Sequence, residues 1–179
     1  QKEMYTERDF PAPLNYYGRA KLAADNLIMG GGTDWAILRT STLFDIDSLL
    51  GKIDFVTWVI NELQQGNSIR VVSDQWGNPT LARNLAQAVW KIIFNGHVGI
   101  YNAAGKDTVS RFDFAKHIAA IFSLNELLIE ETTTEELGQK AKRPLKIGLN
   151  ISKIEKDVSM KMLGIRESLV LFKQDFLEM

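Results

Sequence analysis

The pair in this sequence with the most chemical reach is a tyrosine and a lysine four residues apart, Tyr17 and Lys21. On a helix that spacing turns both side chains to one face. A phenol so placed can donate a proton to a carbonyl oxygen as hydride arrives at carbon. An ammonium one turn away stabilises the phenolate left behind, and can also hydrogen-bond a ribose. Carbonyl–alcohol interconversion is the chemistry this pair suits. The same spacing recurs by chance on many helices, where a half-exposed tyrosine beside a solvated lysine is the plainer reading. The surrounding segments therefore decide.

The elements needed to position the pair are legible. Pro11 and Pro13 hold an extended approach, and Ala20, Ala23, Ala24, Leu27 and Ile28 recur at helical spacing over 16–29. Gly30, Gly31 and Gly32 follow that helix rather than a strand, so they read as its stop and not as a phosphate loop. Trp35–Leu38, Ile69–Val72 and Val98–Asn102 read as buried strands. Phe55, Val56, Val59, Ile60 and Leu63 mark a helix that ends before Gly66. Thr80 is placed to cap a helix with Leu81, Leu85, Ala88, Val89 and Ile92 on its apolar face. Ser110 with Asp113 suggests a cap before Phe114, Ile118 and Phe122. A fourth strand at Leu127–Ile129, a polar loop over 132–148 and a last helix at Glu167–Leu177 complete the reading. Strand–helix alternation predicts an α/β fold with a few parallel strands and flanking helices.

Composition narrows the classes. The 179 residues are 45% hydrophobic and 24% charged, enough for one domain with a core. A net charge of −1 gives no field that would draw the chain to nucleic acid or anionic membrane. With no cysteine, disulfides, thiolate metal sites and a cysteine nucleophile are excluded, which fits a cytoplasmic protein. No apolar run approaches the length of a membrane span.

Four ordered stretches add specificity. Tyr5 to Leu22 contains an acidic, proline-bearing approach to Asn15-Tyr16-Tyr17-Gly18-Arg19-Ala20-Lys21. Arg39-Thr40-Ser41 follows the next strand, Ser73 to Thr80 reads Ser-Asp-Gln-Trp-Gly-Asn-Pro-Thr, and Arg143-Pro144 precedes Ser152-Lys153. Together they resemble the dTDP-4-dehydrorhamnose reductase family of extended short-chain dehydrogenases, over nearly the whole chain. The resemblance implies that Tyr17 is the proton donor and that Lys21 is its electrostatic partner and ribose ligand. It implies that Thr40 and Ser41 line the nicotinamide end, and that Gln75, Trp76 and Arg143 contact a nucleotide-sugar. A guanidinium at Arg143 suits diphosphate because its planar fork bonds two oxygens at once.

The family's glycine-rich nucleotide loop has no counterpart in these residues, nor has the Ser/Thr that polarises the substrate carbonyl. The first helix also lacks a strand before it, and the chain opens on Gln1. The expectation is a single fragment of a longer protein, with a catalytic helix at about 14–31 and a sugar-nucleotide-binding region at about 40–179. The parent would use NADPH or NADH. The fragment itself is expected to bind cofactor poorly, to be inactive and to self-associate through surface its missing half would cover. Two rivals remain: a nucleotide-sugar epimerase or dehydratase on the same scaffold, and a non-catalytic regulatory subunit resembling that of methionine adenosyltransferase, which shares the Ala12–Gly18 stretch.

Other residues have plainer readings. Lys140, Lys142, Arg143 and Lys146 form a basic cluster in a polar loop, either solvated or anion-binding. Asp45, Asp47 and Asp54 match no hard-cation loop, so no metal is expected. His97 reads as a turn residue and His117 as surface. Trp58 and Trp90 read as core, Trp76 as functional, and Glu135 and Glu136 as the start of a helical turn.

Overall fold

The computed structural model describes residues 4–46 and 53–178. The chain opens with β1 (Met4–Tyr5), α1 (Tyr16–Met29), β2 (Ala36–Arg39) and β3 (Leu43–Phe44). It continues through α2 (Phe55–Gln64), β4 (Ile69–Val72), β5 (Trp76–Gly77), β6 (Thr80–Leu81) and α3 (Ala82–Phe94). Then come β7 (Gly99–Asn102), β8 (Val109–Ser110), α4 (Arg111–Phe122), a short 3-10 turn at Glu126–Leu128 and β9 (Ile129–Thr132). β10 (Gly148–Leu149), α5 (Ser152–Asp157) and α6 (Ile165–Phe176) close it.

The strands pair in twos. β1 with β10, β2 with β7, β3 with β6 and β4 with β9 are parallel, whereas β5 and β8 run antiparallel with Trp76 opposite Ser110. Parallel pairing requires long crossovers, and the helices supply them. This is the α/β architecture that the alternation predicts.

Two apolar clusters hold it together. In the larger, the Phe44 ring lies 5.5 Å from Phe114 and 5.9 Å from Phe172. Val59 and Ile60 of α2, Ile118 of α4, Leu169 of α6 and Ile69 of β4 surround these rings. The smaller cluster joins Ala88 and Ile92 of α3 to Tyr101 of β7, Ile154 of α5 and Met162. The first thus packs α2, α4 and α6 around the β4–β9 pair, and the second backs the β2–β7 pair that lies beside α1.

Five sequence expectations change. A strand does precede the first helix, since β1 pairs with β10 through Met4–Gly148 and Tyr5–Leu149. The α1 residues nearest other parts of the chain are Gly18, Leu22, Asp25 and Met29, while Ala20, Ala23, Ala24, Leu27 and Ile28 are exposed. Asp25 ties that face of the helix to the sheet by pairing with Arg39 of β2 at 3.4 Å. Thr80 does not cap α3, because its hydroxyl donates to the Asn78 carbonyl (2.9 Å) and accepts from Gly105 N–H (2.9 Å). Leu81 takes the N-cap position without a side-chain bond. Trp90 is 59% exposed and stacks on Phe94 rather than entering the core. The segment 126–128 is a 3-10 turn, with the strand starting at Ile129.

Asp54 caps α2 by accepting from Thr57 N–H (2.9 Å) and also accepts from Asp45 N–H (2.9 Å). Asp45 pairs in turn with Arg83. Asp47 lies outside the described residues. No described helix is long and apolar enough to cross a membrane.

Candidate active site

The helix that presents Tyr17 begins where it does because of Asn15. Its backbone is extended, and its side-chain oxygen accepts from Gly18 N–H at 2.8 Å. That bond satisfies one of the amides a helix N-terminus leaves without a partner. Gly18 lets the first turn press on the proline approach, since a Cβ there would lie 3.0 Å from Pro13 Cβ. Gly30 caps the far end, and Gly32 follows at φ 73°. The glycine triplet is therefore a helix stop, as its position in sequence indicates.

Tyr17 and Lys21 are both exposed, Tyr17 to 74%, and border one large cleft of about 1510 Å³. Thr40, Ser41, Gln75, Trp76 and Arg143 border the same cleft. The fold thus gathers residues from α1, the end of β2, the β4–β5 loop and the long segment after β9. The Thr40 hydroxyl is buried without a hydrogen-bond partner. Ser41 is buried and its hydroxyl lies 3.3 Å from that of Thr42. Gly77 allows β5 to close over it, because a Cβ at that position would stand 2.9 Å from Ser41 Oγ.

Gln75 is buried, and its amide nitrogen donates to Thr134 Oγ1 (2.9 Å) and Gln139 Oε1 (3.0 Å). Thr134 is itself held by Asp74, which accepts from its N–H and its hydroxyl. Trp76 N–H donates to the Leu145 carbonyl, and Ile147 N–H donates to the Trp76 carbonyl. Asn15 Nδ2 donates to the Lys142 carbonyl at 2.9 Å. The 132–147 segment, polar and aperiodic in sequence, is thereby fastened at three places to the walls of the cleft.

Charge on this wall is uneven. Arg70 donates to Thr132 Oγ1 (2.8 Å) and lies 3.7 Å from Glu136. Glu136 is held below the ordinary carboxylate range, first by the Thr132 hydroxyl and then by Thr133 N–H. Arg111 was not singled out from the sequence. Its guanidinium lies 5.3 Å from the centre of the Phe55 ring and is pushed below its ordinary value by burial and, less strongly, by Arg143. Its place at the start of an amphipathic helix gave no signal, because its neighbours come from segments remote in sequence.

The chain belongs to the RmlD substrate binding domain family, whose pattern matches residues 1–177, and so to the dTDP-4-dehydrorhamnose reductase group that its four motifs resemble. A solved dTDP-4-dehydrorhamnose reductase from Bacillus anthracis str. Ames, in complex with NADP, is 28% identical with a TM-score of 0.87. That likeness covers 100% of this chain and 61% of the other. The spore coat polysaccharide biosynthesis protein SpsK of Bacillus subtilis is 36% identical over 140 residues, 78% of this chain and 47% of that protein. Methionine adenosyltransferase 2 subunit beta of Xenopus tropicalis is 27% identical over 183 residues, 96% of this chain and 54% of that protein. This chain spans between 47% and 61% of the length of these relatives.

Proposed function

We propose that this chain is the catalytic helix and substrate-binding part of an NAD(P)-dependent reductase of a nucleotide-linked 4-keto sugar. The type is that of dTDP-4-dehydrorhamnose reductase, serving deoxysugar and polysaccharide synthesis, and a cytoplasmic location belongs to the same reading. One observation carries it. Tyr17 and Lys21 border the same cleft as Arg143, more than a hundred residues away, in a chain matched by the family along residues 1–177.

The residues at one end of the cleft suit a nicotinamide cofactor. The Thr40 hydroxyl is buried and unmatched, and the Lys21 ammonium is exposed beside Tyr17. Lys21 would hold the ribose, and Thr40 and Ser41 the nicotinamide end. When bound, NADPH or NADH supplies hydride. Tyr17 donates its phenolic proton to the sugar's carbonyl oxygen, and Lys21 stabilises the phenolate that remains. Arg143 and Trp76 hold the nucleotide-sugar, and Gln75 keeps its side-chain oxygen available to it. The sequence contains no glycine-rich phosphate loop, so this chain alone is expected to bind cofactor weakly and not to turn over.

The test is to supply the whole protein with NADPH and a dTDP-linked 4-keto-6-deoxy sugar. Oxidised cofactor released in proportion to alcohol formed supports a reductase. Product formed with the cofactor retained marks an epimerase or dehydratase instead. A second reading is favoured by the likeness to methionine adenosyltransferase 2 subunit beta, which covers 96% of this chain. Under it the protein is a regulatory subunit, and Tyr17 and Lys21 are scaffold. Stoichiometric recovery of a synthetase by the whole protein, with no reductase activity, would establish that reading.

A further inference from the structure

Helix α1 carries Tyr17 and Lys21, yet none of its residues is buried. Apolar packing within these residues therefore does little to fix where the two side chains stand. The N-terminus of the helix is held by Asn15 through the Lys142 carbonyl. Beyond that cap, and among the described residues, the one ion pair from α1 to another element is Asp25 with Arg39 at 3.4 Å.

Asp25 stands one turn beyond Lys21 and two beyond Tyr17, so the three side chains form one row. Arg39 is the last residue of β2 and directly precedes Thr40 and Ser41. Its backbone is fixed there, because its carbonyl accepts from Ala103 N–H at 2.8 Å and the strand pairs with β7. Asp25 and Arg39 both border the main cleft, with side chains 19% and 23% exposed, so solvent screens the pair only in part.

The spacing gives Asp25 a second available partner. A carboxylate four residues from an ammonium on one helix can pair with it. Lys21, however, has no carboxylate partner among the described residues, and the Asp25 charge is engaged by Arg39. An ammonium drawn one turn along the helix toward Asp25 would be drawn away from Tyr17.

We propose that Arg39 is a positioning residue that holds Asp25 away from Lys21 and so leaves the ammonium free to serve the Tyr17 phenol. This rests on the reductase reading above and adds to it two residues that touch neither substrate nor cofactor.

Steady-state rates of the whole protein with NADPH and a dTDP-linked 4-keto-6-deoxy sugar test the role. Arg39→Gln frees the Asp25 carboxylate to capture Lys21. It is expected to lower kcat about tenfold or more, the scale of a catalytic group held out of place, with the KM for the sugar nucleotide little changed. Adding Asp25→Asn to Arg39→Gln removes the competing carboxylate and should restore several-fold of the lost kcat. A pair that serves only as a tether would show no such recovery, because the second substitution mends no contact. Melting curves establish that the variants fold. Should Arg39→Gln not fold, Arg39→Met, which keeps a long stem, carries the same comparison. Undiminished kcat in the folded Arg39 variant, or a double variant no faster than the single, overturns the role of Arg39 and leaves the reductase reading standing. No turnover by the unaltered whole protein contradicts both.

Discussion

Asn15 and Lys142 are joined by a 2.9 Å hydrogen bond across 127 residues of sequence. The same Asn15 side chain caps the Tyr17 helix through Gly18 N–H. One amide therefore sets where the proposed proton donor's helix begins and ties down the segment that carries Arg143. Asn15→Ala removes both bonds and is expected to cost about 1 kcal/mol or somewhat more, the usual effect of losing a cap. Asn15→Asp keeps the cap but cannot donate to the Lys142 carbonyl. Hydrogen exchange should then quicken around 139–146 in both variants, and the melting temperature should fall less for Asp than for Ala.

The same segment responds to acid through Glu136. Its carboxylate is lowered from an ordinary value of 4.5 by bonds to Thr132 and Thr133. A carboxylate depressed by folding stabilises the protein above its unfolded value and loses that contribution as pH falls through the folded one. The difference in melting temperature between the protein and Glu136→Gln should therefore be present at pH 7 and shrink below about pH 4. A difference unchanged over that range would remove Glu136 from this role.

Phe172 is fully buried and lies against Phe44, Phe122 and Phe176, so it joins α6 to α4 and to the β3 turn. Phe172→Ala is expected to destabilise the fold by about 3–5 kcal/mol, the transfer term plus the cavity left behind. Urea unfolding measures it. A loss below about 1 kcal/mol would mean that the aromatic cluster is not the centre of the larger core.

The α1 surface predicts association. Leu27 is 77% exposed, and Ala20, Ala23, Ala24 and Ile28 are exposed beside it. A contiguous apolar helix face favours contact with another such face. Sedimentation at rising concentration should show self-association of this chain, reduced by Leu27→Glu. A clean monomer at high concentration counts against it.

Much of this was legible in the residues. The proline approach and glycine stop delimit the Tyr17 helix, and the spacing of Val56, Val59, Ile60 and Leu63 gives α2 its buried face, because both signals are local. What was not legible depends on partners distant in sequence. Thr80 has the chemistry of a cap, but Asn78 and Gly105 engage its hydroxyl. The apolar stripe of α1 suggests its buried face, yet the face tied to β2 is the one on which Asp25 pairs with Arg39. Trp90 has a core residue's side chain and an outward position. Arg111 gains its meaning from Phe55 and Arg143, which no period or motif connects to it.

The Tyr17–Lys21 face of α1 is proposed to perform carbonyl reduction in the whole protein. The most direct test is the rate of NADPH oxidation with a dTDP-linked 4-keto-6-deoxy sugar, compared between the whole protein and its Tyr17→Phe variant. Turnover by the unaltered protein is expected, with a loss of about 10²–10⁴-fold in kcat for the folded variant, the contribution typical of a positioned general acid. Undiminished turnover by Tyr17→Phe, or none by the unaltered protein, would contradict the proposal.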